Sequence, residues 1–181
     1  MKTLFIDTHL NDIIVMLLED GKLVDKQEVI NKKNNSTYLF TCVKDVIDKN
    51  TINEIIVVNG PGSFTSVRLG VTIAKTLAFT MNIPIKTITS LEVSAISNQK
   101  QRVALSDGNG FYIGEFNESY NNVKDFFYVS NQEFTNMNTS DYFVDNYKID
   151  ISKVYEYLKS KKYTNAHDVN PVYIKKIGVE L

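Results

Sequence analysis

Residues 54–70 read EIIVVNGPGSFTSVRLG, and this stretch decides the fold class. Glu54–Val58 is a β-branched run typical of a buried strand, residues 59–65 form a cluster of turn residues, and a helical pattern follows over 66–81. A strand that enters a helix through a glycine turn is the connection of an α/β sheet. The backbone N–H groups of such a turn and the start of the helix can hold an anion. A tight connection, whose glycines and proline only satisfy the geometry, explains the same residues.

The loop does not match the common phosphate-binding patterns. A Walker A loop needs a Lys followed by Ser or Thr at a fixed distance after the glycines, and the dinucleotide fingerprint needs a different glycine spacing. We therefore treat the segment as a motif loop of unassigned chemistry, whose candidate residues are Gly60, Pro61, Gly62, Ser63, Phe64, Thr65 and Arg68.

The rest of the chain supplies the other elements of an α/β protein. Strands are expected over 3–8, 12–19 and 23–30, with the Asp20-Gly21 pair as a tight hairpin turn, because this pair suits a turn that needs positive φ. Apolar residues at helical spacing predict a helix over 38–48. Further along, the patterns predict strands at 85–88, 102–105, 111–116, 125–130 and 142–144, helices at 90–96 and 151–159, and a closing strand or extended tail at 171–174.

The helix over 66–81 carries two apolar stripes. Leu69, Ile73 and Leu77 form a stripe of large side chains, and a second stripe of small and β-branched residues runs beside it. One stripe must cover the sheet, and the small one permits close approach of another helix. A deeply buried helix explains the same pattern.

Composition excludes several classes of function. The 181 residues carry a net charge of -1, so no global positive field exists to bind nucleic acid. The chain has one Cys and two His, which excludes an intrachain disulfide and makes a transition-metal site unexpected. No signal peptide or membrane span is predicted, so we expect a cytoplasmic protein. His9 and His167 are both expected to be solvated.

No nucleophile–base set stands out, so no catalytic residue is assigned. Asp7 ends the first strand, where nucleotide-binding folds of the actin type place an acidic residue that faces phosphates through a metal. Residues 8–11 (THLN) contain no glycine for backbone approach, and we expect Asp7 to be a capping or lobe-bridging carboxylate. Arg68 is one of only two arginines. In one interpretation, its planar guanidinium makes paired hydrogen bonds to Asp7 or to loop carbonyls. In the other, it contacts a partner, or a nucleotide held at the surface shared with that partner.

Residues 60–70 (GPGSFTSVRLG) resemble the signature of the bacterial TsaB (YeaZ) family, and only Ser66 departs from the usual glycine. Residues 4–8, 73–78, 89–92, 107–112 and 171–174 resemble other family segments in the same order. The resemblance implies an α/β fold of the actin-like ATPase (ASKHA, ribonuclease H-like) type with two small lobes. We expect an N-terminal lobe over 1–99 with the helix-pair interface, and a shortened C-terminal lobe over 100–181. The resemblance implies that the helix pair 36–49 and 66–81 forms the partner interface, through Leu39, Val43, Val46, Val67, Gly70, Val71, Ala74 and Ala78.

The resemblance also implies a function. Members of this family are non-catalytic partners of TsaD in making N6-threonylcarbamoyladenosine (t6A) at tRNA position 37, and the ATPase TsaE joins through the TsaB–TsaD complex. It implies a homodimer in isolation, tRNA contact only through the complex, no membrane contact and no metal. It further implies that no cofactor binds this chain alone, with ATP or ADP entering only in the complex. Two alternatives stay open: a homodimeric binding module, and an enzyme with residual glycoprotease or ASKHA hydrolase activity.

Overall fold

The computed structural model describes residues 1–10, 12–30 and 35–175. Asn11, the last residue of the turn after Asp7, lies outside the described residues. Five strands form the first sheet in the order β3-β2-β1-β4-β5. They are β1 (Lys2–Asp7), β2 (Ile13–Glu19), β3 (Lys22–Val29), β4 (Glu54–Val58) and β5 (Ile85–Ile88). β1 pairs with β2 and β2 with β3 in antiparallel fashion, while β4 lies parallel to both β1 and β5.

The first hairpin has the turn that its sequence predicts. Asp20 and Gly21 have φ of 49° and 81°, and Glu19 pairs with Lys22 across the turn. Positive φ at both central residues is the geometry of a type I′ turn, which matches the twist of the two strands. The predicted hairpin at Asp20-Gly21 is therefore confirmed.

Helices cover both faces of the first sheet. α1 (Asn35–Ile47) and α2 (Phe64–Met81) pack on the face that carries Leu4 and Ile6. α3 (Ser90–Asn98) and α5 (Ile151–Lys159) pack on the face that carries Phe5. Side chains alternate between the faces of a strand, so residues 4–6 of the central strand contribute to both cores. The α/β class predicted from residues 54–70 is confirmed.

A second sheet follows in the order β8-β7-β6-β9. Its strands are β6 (Arg102–Ser106), β7 (Gly110–Phe116), β8 (Asn122–Ser130) and β9 (Phe143–Asp145), and the short helix α4 (Asn131–Asn136) packs on β7 and β8. α3 contacts β6 and β7, so it lies between the two sheets. α5 follows the second sheet in sequence and packs on the first. The predicted lobe boundary at 99/100 stays a prediction.

Candidate functional site

The motif loop is held by contacts to its own chain. The Gly60 carbonyl accepts a hydrogen bond from the Ser90 amide at 2.9 Å, and the Pro61 carbonyl accepts one from the Ser90 hydroxyl at 2.7 Å. A Cβ on Gly62 would lie 2.1 Å from the carbonyl oxygen of His9, closer than any real contact, so the close approach requires glycine. These contacts favour the interpretation of the loop as a tight strand-to-helix connection.

A helix that starts at residue 66, as the sequence pattern predicts, would place Arg68 in its first turn, and this prediction is wrong. The helix begins at Phe64 with Ser63 as its N-cap residue, which places Arg68 in the second helical turn instead of the first. The guanidinium is exposed and lies over the Phe64 ring, 4.9 Å from its centroid. Within the described residues Arg68 makes no ion pair, and it does not clamp Asp7, which has other partners. A planar cation is stabilised by stacking on an aromatic ring, and its N–H groups stay available at the surface.

The eight residues predicted to form the interface lie inside the chain's own core. On α1, Leu39, Val43 and Val46 are at most 3% exposed. On α2, Val67, Val71, Ala74 and Ala78 are at most 2% exposed, and Gly70 is buried among them. The small stripe therefore covers the sheet, and these residues are not accessible to a partner in the single chain. The small stripe faces the sheet because α2 approaches β1 too closely for larger side chains: a Cβ on Gly70 would lie 2.3 Å from Oγ1 of Thr8.

The opposite side of the same helices is accessible. Phe40 on α1 is 62% exposed, and Phe79 on α2 is 63% exposed. The large stripe on α2 is only partly buried, and threonines stand exposed beside it. We call this surface the outer face; its residues are Tyr38, Phe40, Phe64, Arg68, Leu69, Thr72, Ile73, Thr76, Leu77 and Phe79.

The segment 163–175 borders the outer face; it contains one turn of 3-10 helix, Ala166–Asp168, and ends as an extended tail. The amide of Val172 donates to the carbonyl of Asn59 at 2.7 Å, which fixes the tail beside the motif loop. The ring of Tyr173 lies 5.1 Å from that of Phe64, and His167 makes an edge contact with Phe79 at 5.0 Å. Of the two possibilities left open for 171–174, the structure has the extended tail. His167 is exposed, as expected.

Asp7 bridges the two sheets, which confirms one of the two roles predicted for it. Its Oδ1 lies 2.8 Å from Nδ1 of His9, and its Oδ2 accepts a hydrogen bond from the hydroxyl of Tyr147 at 2.6 Å. Tyr147 follows β9, the edge strand of the second sheet. Burial alone would raise the pKa of Asp7, but the charge of His9 and the hydrogen bonds from His9 and Tyr147 outweigh it and lower the pKa. Burial and the nearby Asp7 carboxylate raise the pKa of Tyr147 well above its usual range.

The prediction that His9 is solvated is wrong. His9 is 2% exposed, and its ring packs against Tyr147 with 4.0 Å between centroids. Its Nε2 has no hydrogen-bond partner among the residues that the structure describes. Nothing near His9 in the sequence signals this burial, because its ring partner Tyr147 lies far along the chain.

The arrangement at Asp7 does not fit a metal-bound nucleotide. A carboxylate that faces phosphates through a metal needs a free oxygen, and both oxygens of Asp7 are engaged by His9 and Tyr147. The following turn supplies a buried imidazole in place of a glycine. Within the described residues, no three His, Cys, Asp or Glu side chains are grouped closely enough to hold a metal ion. No helix of the described chain is both long and apolar enough to span a membrane.

Asp107 forms a turn, as its sequence context suggests, and also anchors a small polar cluster. Its Oδ1 accepts hydrogen bonds from the amides of Asn109 and Gly110 and from the hydroxyl of Tyr128 at 2.9 Å. Burial opposes the charge of Asp107, but these bonds and Lys175, at 3.2 Å, lower its pKa. The cluster ties the second sheet to the tail.

Comparison with known proteins identifies relatives. A family model described as "TsaD: tRNA N6-adenosine threonylcarbamoyltransferase" matches residues 37–125. The tRNA threonylcarbamoyladenosine biosynthesis protein TsaB of Bacillus subtilis is 35% identical over 104 residues, which cover 55% of this chain and 45% of the relative. The protein of the same name from Buchnera aphidicola is 26% identical over 112 residues, covering 49% of this chain and 51% of the relative. The chain thus spans about half the length of the curated relatives it matches.

Solved structures share the fold over nearly the whole chain. YeaZ from Pseudomonas aeruginosa superimposes with a TM-score of 0.72 at 16% identity, covering 96% of this chain and 99% of that one. A second P. aeruginosa structure, described as similar to the peptidase YEAZ, gives a TM-score of 0.74 with the same identity and coverage. The predicted α/β fold of two sheets is confirmed, and these two structures share it. The predicted shortening of the C-terminal lobe stays a prediction.

Proposed function

We propose that this chain is a protein of the TsaB/YeaZ type, which acts in the formation of t6A on tRNA as a non-catalytic subunit that docks on TsaD. The names of the curated relatives support the biosynthetic role. The docking role goes further and is argued from the outer face of α1 and α2.

The exposed phenylalanines of the outer face carry the proposal. Phe40 and Phe79 each leave more than half of their surface in water on adjacent helices that cover one side of the sheet. Large exposed apolar side chains on two neighbouring helices are candidates for a protein–protein contact. Two adjacent helices can pack against two helices of a partner with the same fold, and the match to a TsaD family model supports a partner of that kind.

Arg68 and the tail extend this face at one edge. The guanidinium stacked on Phe64 and the neighbouring ring of Tyr173 form a row of Arg, Phe and Tyr. Arginine and aromatic residues are enriched in the centres of interfaces. Of the alternatives for Arg68, the contact to a partner is the one that its exposed position supports.

The proposal leaves the chemistry to the partner. Asp7 binds His9 and Tyr147, so it offers no free oxygen for a metal or a phosphate. The rest of the proposal relies on the family resemblance. TsaE joins through the complex, tRNA is contacted through the complex, and ATP or ADP binds only at the level of the complex. The chain forms a homodimer in isolation and is located in the cytoplasm.

Binding to purified TsaD from the same organism tests the proposal. Thr76 is exposed in the middle of the outer face, and Thr76→Glu places a charge there without touching the core. Thr135→Glu is the matched control, because Thr135 is an exposed threonine on α4, on the other sheet. An unpaired charge buried in an interface costs about 2–5 kcal/mol, so Thr76→Glu should weaken binding at least about 30-fold.

Thr135→Glu should bind as the unaltered chain does, and circular dichroism should show both variants folded. Full binding by Thr76→Glu would place the interface elsewhere. Failure of the unaltered chain to bind TsaD would remove the docking role.

A further inference from the structure

The two sheets are joined by three side chains that we call the latch: Asp7, His9 and Tyr147. Oδ1 of Asp7 lies 2.8 Å from Nδ1 of His9, which is in the same turn. Oδ2 of Asp7 accepts a hydrogen bond at 2.6 Å from the hydroxyl of Tyr147, which follows the edge strand of the second sheet. Asp7 is 1% exposed and His9 2%, so their contact is shielded from water, while Tyr147 is partly buried. Hydrogen bonds to a buried carboxylate are stronger than neutral ones.

The second sheet and α3 hold Tyr147 in the position that the latch needs. Tyr147 has φ of 57°, a left-handed conformation that a bulky residue rarely adopts. Its amide donates to Asp145 Oδ1 at 2.9 Å, and Asp145 Oδ2 accepts bonds from Ser94 at 2.6 Å and Asn98 at 2.9 Å. This unusual conformation is thus fixed by a buried carboxylate that is itself anchored to α3.

The same turn of residues 7–9 fixes the start of α2. The carbonyl of His9 accepts the amide of Ser63, the N-cap residue of α2, at 2.7 Å. The hydroxyl of Thr8 donates to the carbonyl of Ser66 at 2.6 Å. The first turn of α2 therefore takes its position from residues that follow directly on the latch carboxylate.

We propose that the latch couples the closure of the two sheets to the position of α2, and so regulates docking through the outer face. When Tyr147 leaves Asp7, His9 loses its ring partner, and the carbonyl that holds Ser63 is freed to move. Phe64 and Arg68 follow Ser63 in the chain, so the outer face changes shape although none of its residues is altered. This inference rests on the proposed docking on TsaD.

Amide hydrogen exchange on the isolated chain tests the coupling without a partner. Tyr147→Phe removes the hydroxyl that reaches Asp7 and keeps the ring against His9. Tyr142→Phe is the matched control, because its hydroxyl also donates to a carboxylate, Glu115 at 2.8 Å, but within the second sheet. One hydrogen bond to a charged acceptor corresponds to about a tenfold change in an opening equilibrium.

We expect Tyr147→Phe to speed exchange about tenfold in residues 63–70, and Tyr142→Phe to leave these residues unchanged. Asp145→Asn, which weakens the support of Tyr147, should act in the same direction. Unchanged exchange at 63–70 in both Tyr147→Phe and Asp145→Asn, with melting curves that show folded proteins, would overturn the coupling.

Binding to TsaD then separates this inference from the proposed function. The coupling predicts that Tyr147→Phe weakens binding severalfold while Tyr142→Phe does not. If Thr76→Glu abolishes binding and Tyr147→Phe binds normally, docking stands and regulation by the latch is wrong. If Tyr147→Phe speeds exchange but the unaltered chain binds no TsaD, the docking function fails, and regulation of that docking fails with it.

Discussion

Gly70→Ala decides which side of α2 faces the sheet. In an exposed helix this change stabilises a protein by about 1 kcal/mol, because glycine is a poor helix former. Here the new Cβ would lie 2.3 Å from Thr8 Oγ1 and 3.4 Å from Thr8 Cβ and Cγ2. The hydroxyl of Thr8 would have to leave the carbonyl of Ser66, which it contacts at 2.6 Å.

The expected loss follows from these contacts. Crowding in a packed core costs about 1–3 kcal/mol, and loss of a buried hydrogen bond costs about 0.5–1.5 kcal/mol. When the gain in helix propensity is subtracted from these two losses, the free energy of unfolding of Gly70→Ala should be about 2 kcal/mol lower than that of the unaltered chain. For a chain of this length that lowers Tm by roughly 4–8 °C.

Urea unfolding followed by circular dichroism measures the effect, and a double-mutant cycle assigns it. Thr8→Ala removes the atom that the new Cβ would meet, so the loss in Thr8→Ala/Gly70→Ala should be smaller than the sum of the single losses by about 1–2 kcal/mol. A raised Tm for Gly70→Ala in the isolated chain would refute the reasoning, because it would mean that the small stripe is exposed at the surface.

Three further outcomes are expected. Ala74→Glu should leave the isolated chain largely unfolded by circular dichroism, because Ala74 is fully buried and an unpaired charge there costs several kcal/mol, whereas Thr76→Glu should melt within about 2 °C of the unaltered chain. Asp7 has a lowered pKa in the folded state, so its contribution to stability is full above the ordinary value of about 3.9 and is lost as pH falls through the lower folded-state pKa. The pH dependence of the urea midpoint between about pH 5 and pH 2 should therefore be shallower in Asp7→Asn, and an equal slope in both proteins would contradict the assignment. Arg68→Lys should leave Tm unchanged within about 1 °C, because Arg68 is exposed; a large drop in Tm would mean that the guanidinium has a structural partner.

Local patterns predicted most of the elements. The bounds of β4, β5 and α5 agree with the β-branched runs and the helical spacing that indicated them. The hydrophobic periodicity of a buried strand or an amphipathic helix is a property of the residues in that element alone, so it can be read from the sequence. α4 was not predicted. It has six residues and a single buried side chain, Phe134, so its period is too short to detect, although the capping box of Ser130 and Glu133 marks its start.

The orientation of α2 could not be read from the sequence, because both of its stripes are apolar. Periodicity shows that two faces exist and does not say which one meets the sheet. The deciding contact is between Gly70 and Thr8, which requires the three-dimensional approach of the helix to β1. The burial of His9 was missed for a similar reason, since it depends on Tyr147, which is distant in sequence.

We propose that this chain acts in t6A formation by docking on TsaD through the outer face of α1 and α2. The most direct measurement is the t6A content of tRNA, by nucleoside mass spectrometry, after a reaction reconstituted with TsaD, TsaE, threonylcarbamoyl donor and this chain. We predict that t6A falls at least about tenfold when the chain is omitted or replaced by Thr76→Glu, and that Thr135→Glu supports full formation. Equal t6A with and without the chain would contradict the account.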